Sequence, residues 1–213
     1  MVGEQDWFDG TLGACPVMAI LRGYSTRDTL VLAQRAWNLG ITLVEIPIQT
    51  DAALETLAAV ANVARSRGAL IGAGTVLRPE QVIAARDAGA VFTVSPGFDP
   101  DVVTASHAAG LPSLPGVATA TEVQLALRHG LRWLKAFPAA TLGESWFTAM
   151  RGPFPQVSLV ATGGMAAGNA ERFLKAGATA VAVGSALEDP AQLDRLAAII
   201  AARVGPEPGV SGP

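Results

Sequence analysis

Eight short, almost continuously apolar runs recur along this chain, each separated from the next by a segment long enough for one helix. The runs cover residues 17–21, 42–48, 70–73, 91–94, 111–114, 133–137, 158–161 and 180–183. A strand that is apolar on both faces is buried on both faces, which favours a parallel sheet covered by helices. The intervening stretches, 26–39, 51–67, 79–88, 99–109, 119–129, 143–151 and 168–176, with a last one at 190–204, are alanine-rich. Start signals stand at Thr26 with Thr29, Pro79-Glu80, Asp99 before Pro100, Thr121-Glu122 and Asp189 before Pro190. Glycine stops follow at Gly40, Gly68, Gly89, Gly110, Gly130 and Gly177. Eight such units in about 200 residues predict a (β/α)8 TIM barrel, an α/β fold, rather than a doubly wound open sheet. No linker interrupts the pattern, so residues 1–204 are expected to form one barrel domain. Residues 205–213, GPEPGVSGP, offer almost nothing to bury and are expected to form a mobile tail.

With 50% hydrophobic residues, the 213-residue chain can build one well-buried core. A formal charge of −3 gives no reason to expect a nucleic acid or an anionic membrane as partner. No apolar stretch approaches the roughly 18 residues of a membrane helix. The opening MVGEQDWFDG is acidic and lacks the basic region of a signal peptide. A single cysteine, Cys15, cannot form an internal disulfide and fits a reducing compartment. The expectation is a soluble cytoplasmic protein.

In a barrel of this kind, active residues gather at the C-terminal ends of the strands. The polar and glycine residues of the chain fall there. Lys135, one of only two lysines, interrupts the run LRWLKAFP. An ammonium in a buried strand costs several kcal/mol unless it is paired or gives up its proton. An unprotonated lysine is the usual amine that forms a Schiff base with a carbonyl. Lys175 lies at a helix end, where a cation suits the dipole. Glu45 is a second charge inside an apolar strand, and the economical partner for it is Lys135. That pair reads either as a structural salt bridge or as a proton-shuttling carboxyl beside a lysine imine.

Two late glycine loops, Thr162-Gly163-Gly164 after the seventh run and Gly184-Ser185 after the eighth, occupy the position where such barrels hold phosphate. Arg22, ending the first run, has a planar fork suited to a carboxylate or phosphate. Gly74 and Thr75 end the third run, the glycine allowing close backbone approach and the threonine offering a hydroxyl. His107 and His129 fall on presumed outer helices. No Cys/His/Asp cluster has metal spacing, and no Gly-x-Gly-x-x-Gly follows the first strand, so neither a metal nor a dinucleotide cofactor is expected.

These pieces together resemble a known family. AILRG (19–23), VEIPIQT (44–50), IGAGTVLRPEQV (71–82), VSPGF (94–98), PGVATATE (115–122), LKAFPA (134–139), ATGGM (161–165) and VGSAL (183–187) resemble the class I aldolases. Those enzymes cleave 2-keto-3-deoxy-6-phosphogluconate (KDPG) or its galactonate epimer (KDPGal). The resemblance implies a homotrimeric (β/α)8 barrel that splits a phosphorylated keto acid into pyruvate and glyceraldehyde 3-phosphate. It implies Lys135 as the Schiff-base lysine and Glu45 as the proton-transferring carboxyl. By the same likeness Gly74 and Thr75 meet the pyruvate-derived carboxylate, Gly163, Gly164, Gly184 and Ser185 meet the phosphate, and Pro96 and Phe137 wall the pocket. Gln49 stands where phosphogluconate-type members carry an arginine. The Glu-Ile-Pro, AILRG and ATATE segments look like the galactonate type, whereas VSPG and Thr162 look like the phosphogluconate type, so both epimers stay open. Two further readings share these residues: an aldolase for non-phosphorylated keto acids such as 4-hydroxy-2-oxoglutarate, and a non-catalytic barrel that binds phosphorylated metabolites.

Overall fold

A computed structural model describes the chain from residue 4 to residue 203. The tail expected over 205–213 lies outside the described residues. Nine parallel strand segments form one sheet: β1 (Val17–Ile20), β2 (Leu43–Pro47), β3 (Leu70–Gly74), β4 (Phe92–Val94), β5 (Ser113–Leu114), β6 (Gly116–Val117), β7 (Trp133–Ala136), β8 (Ser158–Thr162) and β9 (Ala180–Val183). Their spatial order is β5-β4-β3-β2-β1-β9-β8-β7-β6. The two ends of that order, β5 and β6, are adjacent halves of one extended segment separated only by Pro115. β5 pairs with β4 and β6 with β7, so the sheet curls round to meet itself as an eight-staved barrel. Proline has no N–H to add to a ladder. Its carbonyl still serves, accepting from the Lys135 N–H at 2.9 Å.

The helices are α1 (Glu4–Thr11), α2 (Thr26–Asn38), α3 (Asp51–Arg65), α4 (Pro79–Asp87), α5 (Pro100–Ala108), α6 (Ala120–Arg128), α7 (Ala139–Leu142), α8 (Glu144–Arg151), α9 (Ala167–Ala176) and α10 (Pro190–Arg203). A 3-10 turn spans Ser185–Leu187. Two start signals shift by one or two residues. Ser25, not Thr26, caps α2 by accepting from the Asp28 N–H, and Thr119, not Thr121, forms a capping box with Glu122 on α6. Asp99 and Asp189 cap α5 and α10 as expected.

Two apolar clusters divide the core. The larger lies between the sheet and the surrounding helices. The smaller fills the barrel interior with Met18, Leu43, Phe92, Val94, Leu114, Trp133, Val160, Ala180 and Ala182. Helix α1, unpredicted from the sequence, closes the N-terminal end of this interior. Phe8 and Leu12 are buried in it, Trp7 meets the Phe92 ring at 5.5 Å, and the Trp133 indole N–H donates to Asp9 Oδ1 at 2.8 Å. The barrel is therefore packed shut below and open above.

Candidate active site at the C-terminal end of the barrel

Side chains alternate along a strand, so any residue two places after an interior residue also points inward. Leu43 and Trp133 belong to the interior cluster. Two residues on stand Glu45 and Lys135, 0% and 2% exposed, at the top of the apolar fill. The same count from Val160 and Ala182 brings Thr162 and Gly184 inward. Polar residues thus replace apolar ones in the uppermost layer, the position the sequence predicts.

On β3, Leu70 is followed at the same spacing by Gly72 and Gly74. A Cβ on Gly72 would overlap the Phe92 ring, and one on Gly74 would overlap the Glu45 carboxyl. Both glycines hollow the barrel for a neighbour. The close neighbour of Gly74 is Glu45, a use of that glycine the sequence did not reveal. The next residue, Thr75, has φ of +57°, a strained value for a β-branched residue that points to a constrained, functional backbone.

Lys135 does not pair with Glu45. Both Glu45 carboxylate oxygens are buried without a hydrogen-bond partner, which corrects the expected ion pair. The strands are held in register, Lys135 beside Gly116 and Val160, and Glu45 beside Ile20 and Gly72, which seats the two groups on different staves. The Lys135 Nζ instead lies 5.1 Å from the centroid of the Phe137 ring, a cation–π distance. The other lysine, Lys175, is exposed and paired with Glu171 at 3.5 Å.

A cavity of about 480 Å³ opens above Lys135. Arg22, Phe137, Thr162, Gly163, Gly164, Gly184 and Ser185 line it, with Ile20, Tyr24, Met165 and Ala182. Eight of the expected site residues thus come together, Lys135 included. Gln49 and Thr75 line a separate hollow beside Arg78 and Gln81. Pro96 is packed with its carbonyl against Gly116, where a Cβ would overlap it. Gln49 reaches the cavity through another residue, because Arg22 Nη1 donates to Gln49 Oε1 at 2.5 Å. A neutral amide fixes the guanidinium without cancelling its charge, which a carboxylate there would do.

Gly163 and Gly164 have φ of +94° and +74°, and a side chain on Gly164 would press on the Ala140 methyl. Their carbonyls are tied back, Gly163 O accepting from Ala140 N at 3.0 Å and Gly164 O from Asn169 Nδ2 at 2.9 Å. At the start of α9 the cap amide of Ala166 donates to Asn169 Oδ1, and Ala167 N to Gln192 Oε1. The anion-binding groups expected here, the two glycine loops and Arg22, all line the cavity.

The family profile described as KDPG and KHG aldolase matches residues 8–201. The chain belongs to that aldolase family. This aldolase is 38% identical over 160 residues to the 2-dehydro-3-deoxy-phosphogluconate aldolase of Treponema pallidum, covering 75% of this chain and 74% of that protein. It is 34% identical over 173 residues to the 2-dehydro-3-deoxy-6-phosphogalactonate aldolase of Escherichia coli K12, covering 81% and 84% of the two chains. Its fold overlays that of the Legionella pneumophila KDPG aldolase, captured with pyruvate as a covalent carbinolamine, with a TM-score of 0.77 at 30% identity. That overlay spans 94% of this chain and 97% of the other. Aldolases of this kind are lyases, and the eightfold pattern read from the sequence is their barrel.

His107 falls in the last turn of α5, and His129 caps the C-terminus of α6 with its ring against Phe98 at 5.3 Å. Both lie away from the cavity, as expected. No group of metal-ligating side chains is found among the described residues, and no helix there is long and apolar enough to cross a membrane. Cys15 is buried, and desolvation pushes its thiol upward, so it stays protonated and unreactive. Of the cavity residues that the sequence reading missed, Ile20, Tyr24, Met165 and Ala182, only Tyr24 carries a polar group. Its position two residues beyond Arg22, past the end of β1, was the available signal.

Proposed function

We propose that this aldolase cleaves a 2-keto-3-deoxy-6-phospho sugar acid into pyruvate and D-glyceraldehyde 3-phosphate through a Schiff base on Lys135. One observation carries the choice of nucleophile: of two lysines, only Lys135 is buried, and it sits on the floor of a cavity open at the C-terminal end of the barrel. Its amine adds to the C2 carbonyl carbon, and loss of water from the carbinolamine gives the iminium. The C3–C4 bond then breaks, its electrons moving to the iminium nitrogen while the C4 hydroxyl gives up its proton, and the aldehyde leaves. Protonation of the enamine at C3 and hydrolysis of the imine free pyruvate and the lysine. Glu45, a buried carboxyl with no hydrogen bond of its own, is the proton carrier. Such assistance is worth about 10²–10⁴ in rate. Thr162, the glycine loops and Arg22 hold the anionic far end, with Gln49 fixing Arg22. Phe137 shapes the wall, and the likeness to the family assigns Gly74 and Thr75 to the carboxylate end and Pro96 to the wall, although these three lie outside the cavity lining itself.

Reduction with borohydride in the presence of pyruvate should attach a three-carbon unit to Lys135. Intact protein with an unmodified Lys135 would defeat the assignment. A non-catalytic metabolite-binding barrel would release no pyruvate from any keto-deoxy acid.

A second reading keeps the imine but drops the phosphate. The family description itself joins KDPG with KHG, and Arg22 could hold the distal carboxylate of 4-hydroxy-2-oxoglutarate as well as a phosphate. Turnover with and without the 6-phosphate separates the two. Side-by-side cleavage of the gluconate and galactonate epimers sets the stereochemical preference. The assembly we propose is a homotrimer in the cytoplasm. In support, Leu77, Val31 and Ile83 leave large apolar side chains 54%, 47% and 43% exposed on the barrel's outside.

A further inference from the structure

We infer that Tyr24, clasped by Glu188, is the wall that sets how long a substrate tail the Lys135 cavity accepts; the inference rests on the function proposed above. Tyr24 lies in the loop between β1 and α2 and is the one residue lining both the Lys135 cavity and a second hollow of about 340 Å³. That hollow sits between α2 and α3. Tyr24 is thus the residue at the boundary of the two spaces.

Glu188 holds the ring there. The Tyr24 hydroxyl donates to the Glu188 carboxylate, joining the loop after β1 to the turn after β9 across the rim of the cavity. A second tie runs parallel to it, Arg35 Nη1 donating to the Leu187 carbonyl at 3.0 Å. Burial and the Glu188 charge push the phenol up to about 12, so it remains a proton donor across any physiological range. The space behind the ring is mixed, with Leu21, Ile46, Pro47, Ala52 and Ala53 beside a set of polar side chains. Thr26, Thr50, Thr56 and Glu55 line it, and the Thr26 and Thr56 hydroxyls lie 2.7 Å apart. A hydroxylated chain entering it would find hydrogen-bond partners for its hydroxyls and apolar walls for its carbons, so the ring is what excludes a longer tail.

The condensation direction reads this wall directly. The enamine of pyruvate on Lys135 attacks the aldehyde carbon, a C–C bond forms, the aldehyde oxygen takes a proton, and imine hydrolysis releases the keto acid. D-glyceraldehyde 3-phosphate and D-erythrose 4-phosphate differ as acceptors by one hydroxylated carbon. Tyr24→Ala should move the kcat/KM ratio toward the longer aldehyde by about tenfold or more, whereas Tyr24→Phe, which keeps the ring, should move it far less. An unchanged ratio in Tyr24→Ala overturns the wall. The clasp has its own readout, because Tyr24 is the only tyrosine in the chain. Near-ultraviolet tyrosinate absorbance should place its ionisation near 12 in the wild type and lower in Glu188→Gln, where burial alone still raises it. A midpoint unmoved by that substitution overturns the clasp. A wild-type protein that forms no borohydride adduct with pyruvate defeats the function proposal and the wall with it. An adduct together with an unchanged acceptor ratio defeats the wall alone.

Discussion

Lys135 and Glu45 are costly residues to bury, and neither offsets the other. Leaving a buried polar group without a partner costs about 1–3 kcal/mol. Lys135→Met, similar in length and able to fill the strand position, should abolish pyruvate release while keeping the melting temperature within a few degrees of the wild type, read by calorimetry. A variant that lost stability would show that Lys135 serves the fold. Glu45→Gln keeps the shape beside Gly74 and removes the proton carrier, so turnover should fall about 10²–10⁴-fold with Schiff-base trapping still detectable. Tyr24 adds a pH dependence. Its ionisation is raised in the folded protein, so the native state holds that proton more tightly than the unfolded chain. The associated stability is complete below about pH 10 and is lost as the pH rises toward 12. Tyr24→Phe should flatten that part of a denaturation-versus-pH curve. Lys135 was legible in the sequence because a charge inside an apolar run contradicts its surroundings. Tyr24 was not, because an aromatic residue just past a strand is unremarkable until the loop opposite is known.

At the level of elements, regular strands and helices were read from period and punctuation, and irregular ones were not. Pro115-Gly116 reads as a turn, so the fifth strand was expected to end at Leu114. In the barrel the chain passes straight through, because each half needs a ladder on one side only. Helix α1 escaped for a different reason. It holds only two large apolar residues, Trp7 and Phe8, with Leu12 just past its end, too short a pattern in an acidic, glycine-bearing segment, and its stability comes from the barrel it plugs. The sequence of one segment cannot reveal a socket built by strands far along the chain. Phe8→Ala empties that socket and should cost about 3–5 kcal/mol in denaturant titration. If stability moved by less than 1 kcal/mol, α1 would be an ornament on the fold.

For the whole molecule, the division between a packed lower barrel and a polar upper layer explains why so much of the site was readable. The same eightfold pattern that predicts the fold also predicts which end of every strand carries chemistry. What it could not supply is the pairing across that end, such as Arg22 with Gln49 or Tyr24 with Glu188, since those contacts join loops distant in sequence.

The helix that stoppers the barrel also dictates the order of events. With Phe8 and Leu12 blocking one end, the catalytic chamber is a cul-de-sac with a single doorway. On the proposed chemistry, pyruvate stays tethered to the lysine at the blind end while the aldehyde lies toward the exit. The aldehyde must depart before the tether is cut, and an incoming substrate must wait for both. Product inhibition should carry that signature: pyruvate competes with the keto acid for the empty chamber, and glyceraldehyde 3-phosphate inhibits noncompetitively by re-entering an occupied one.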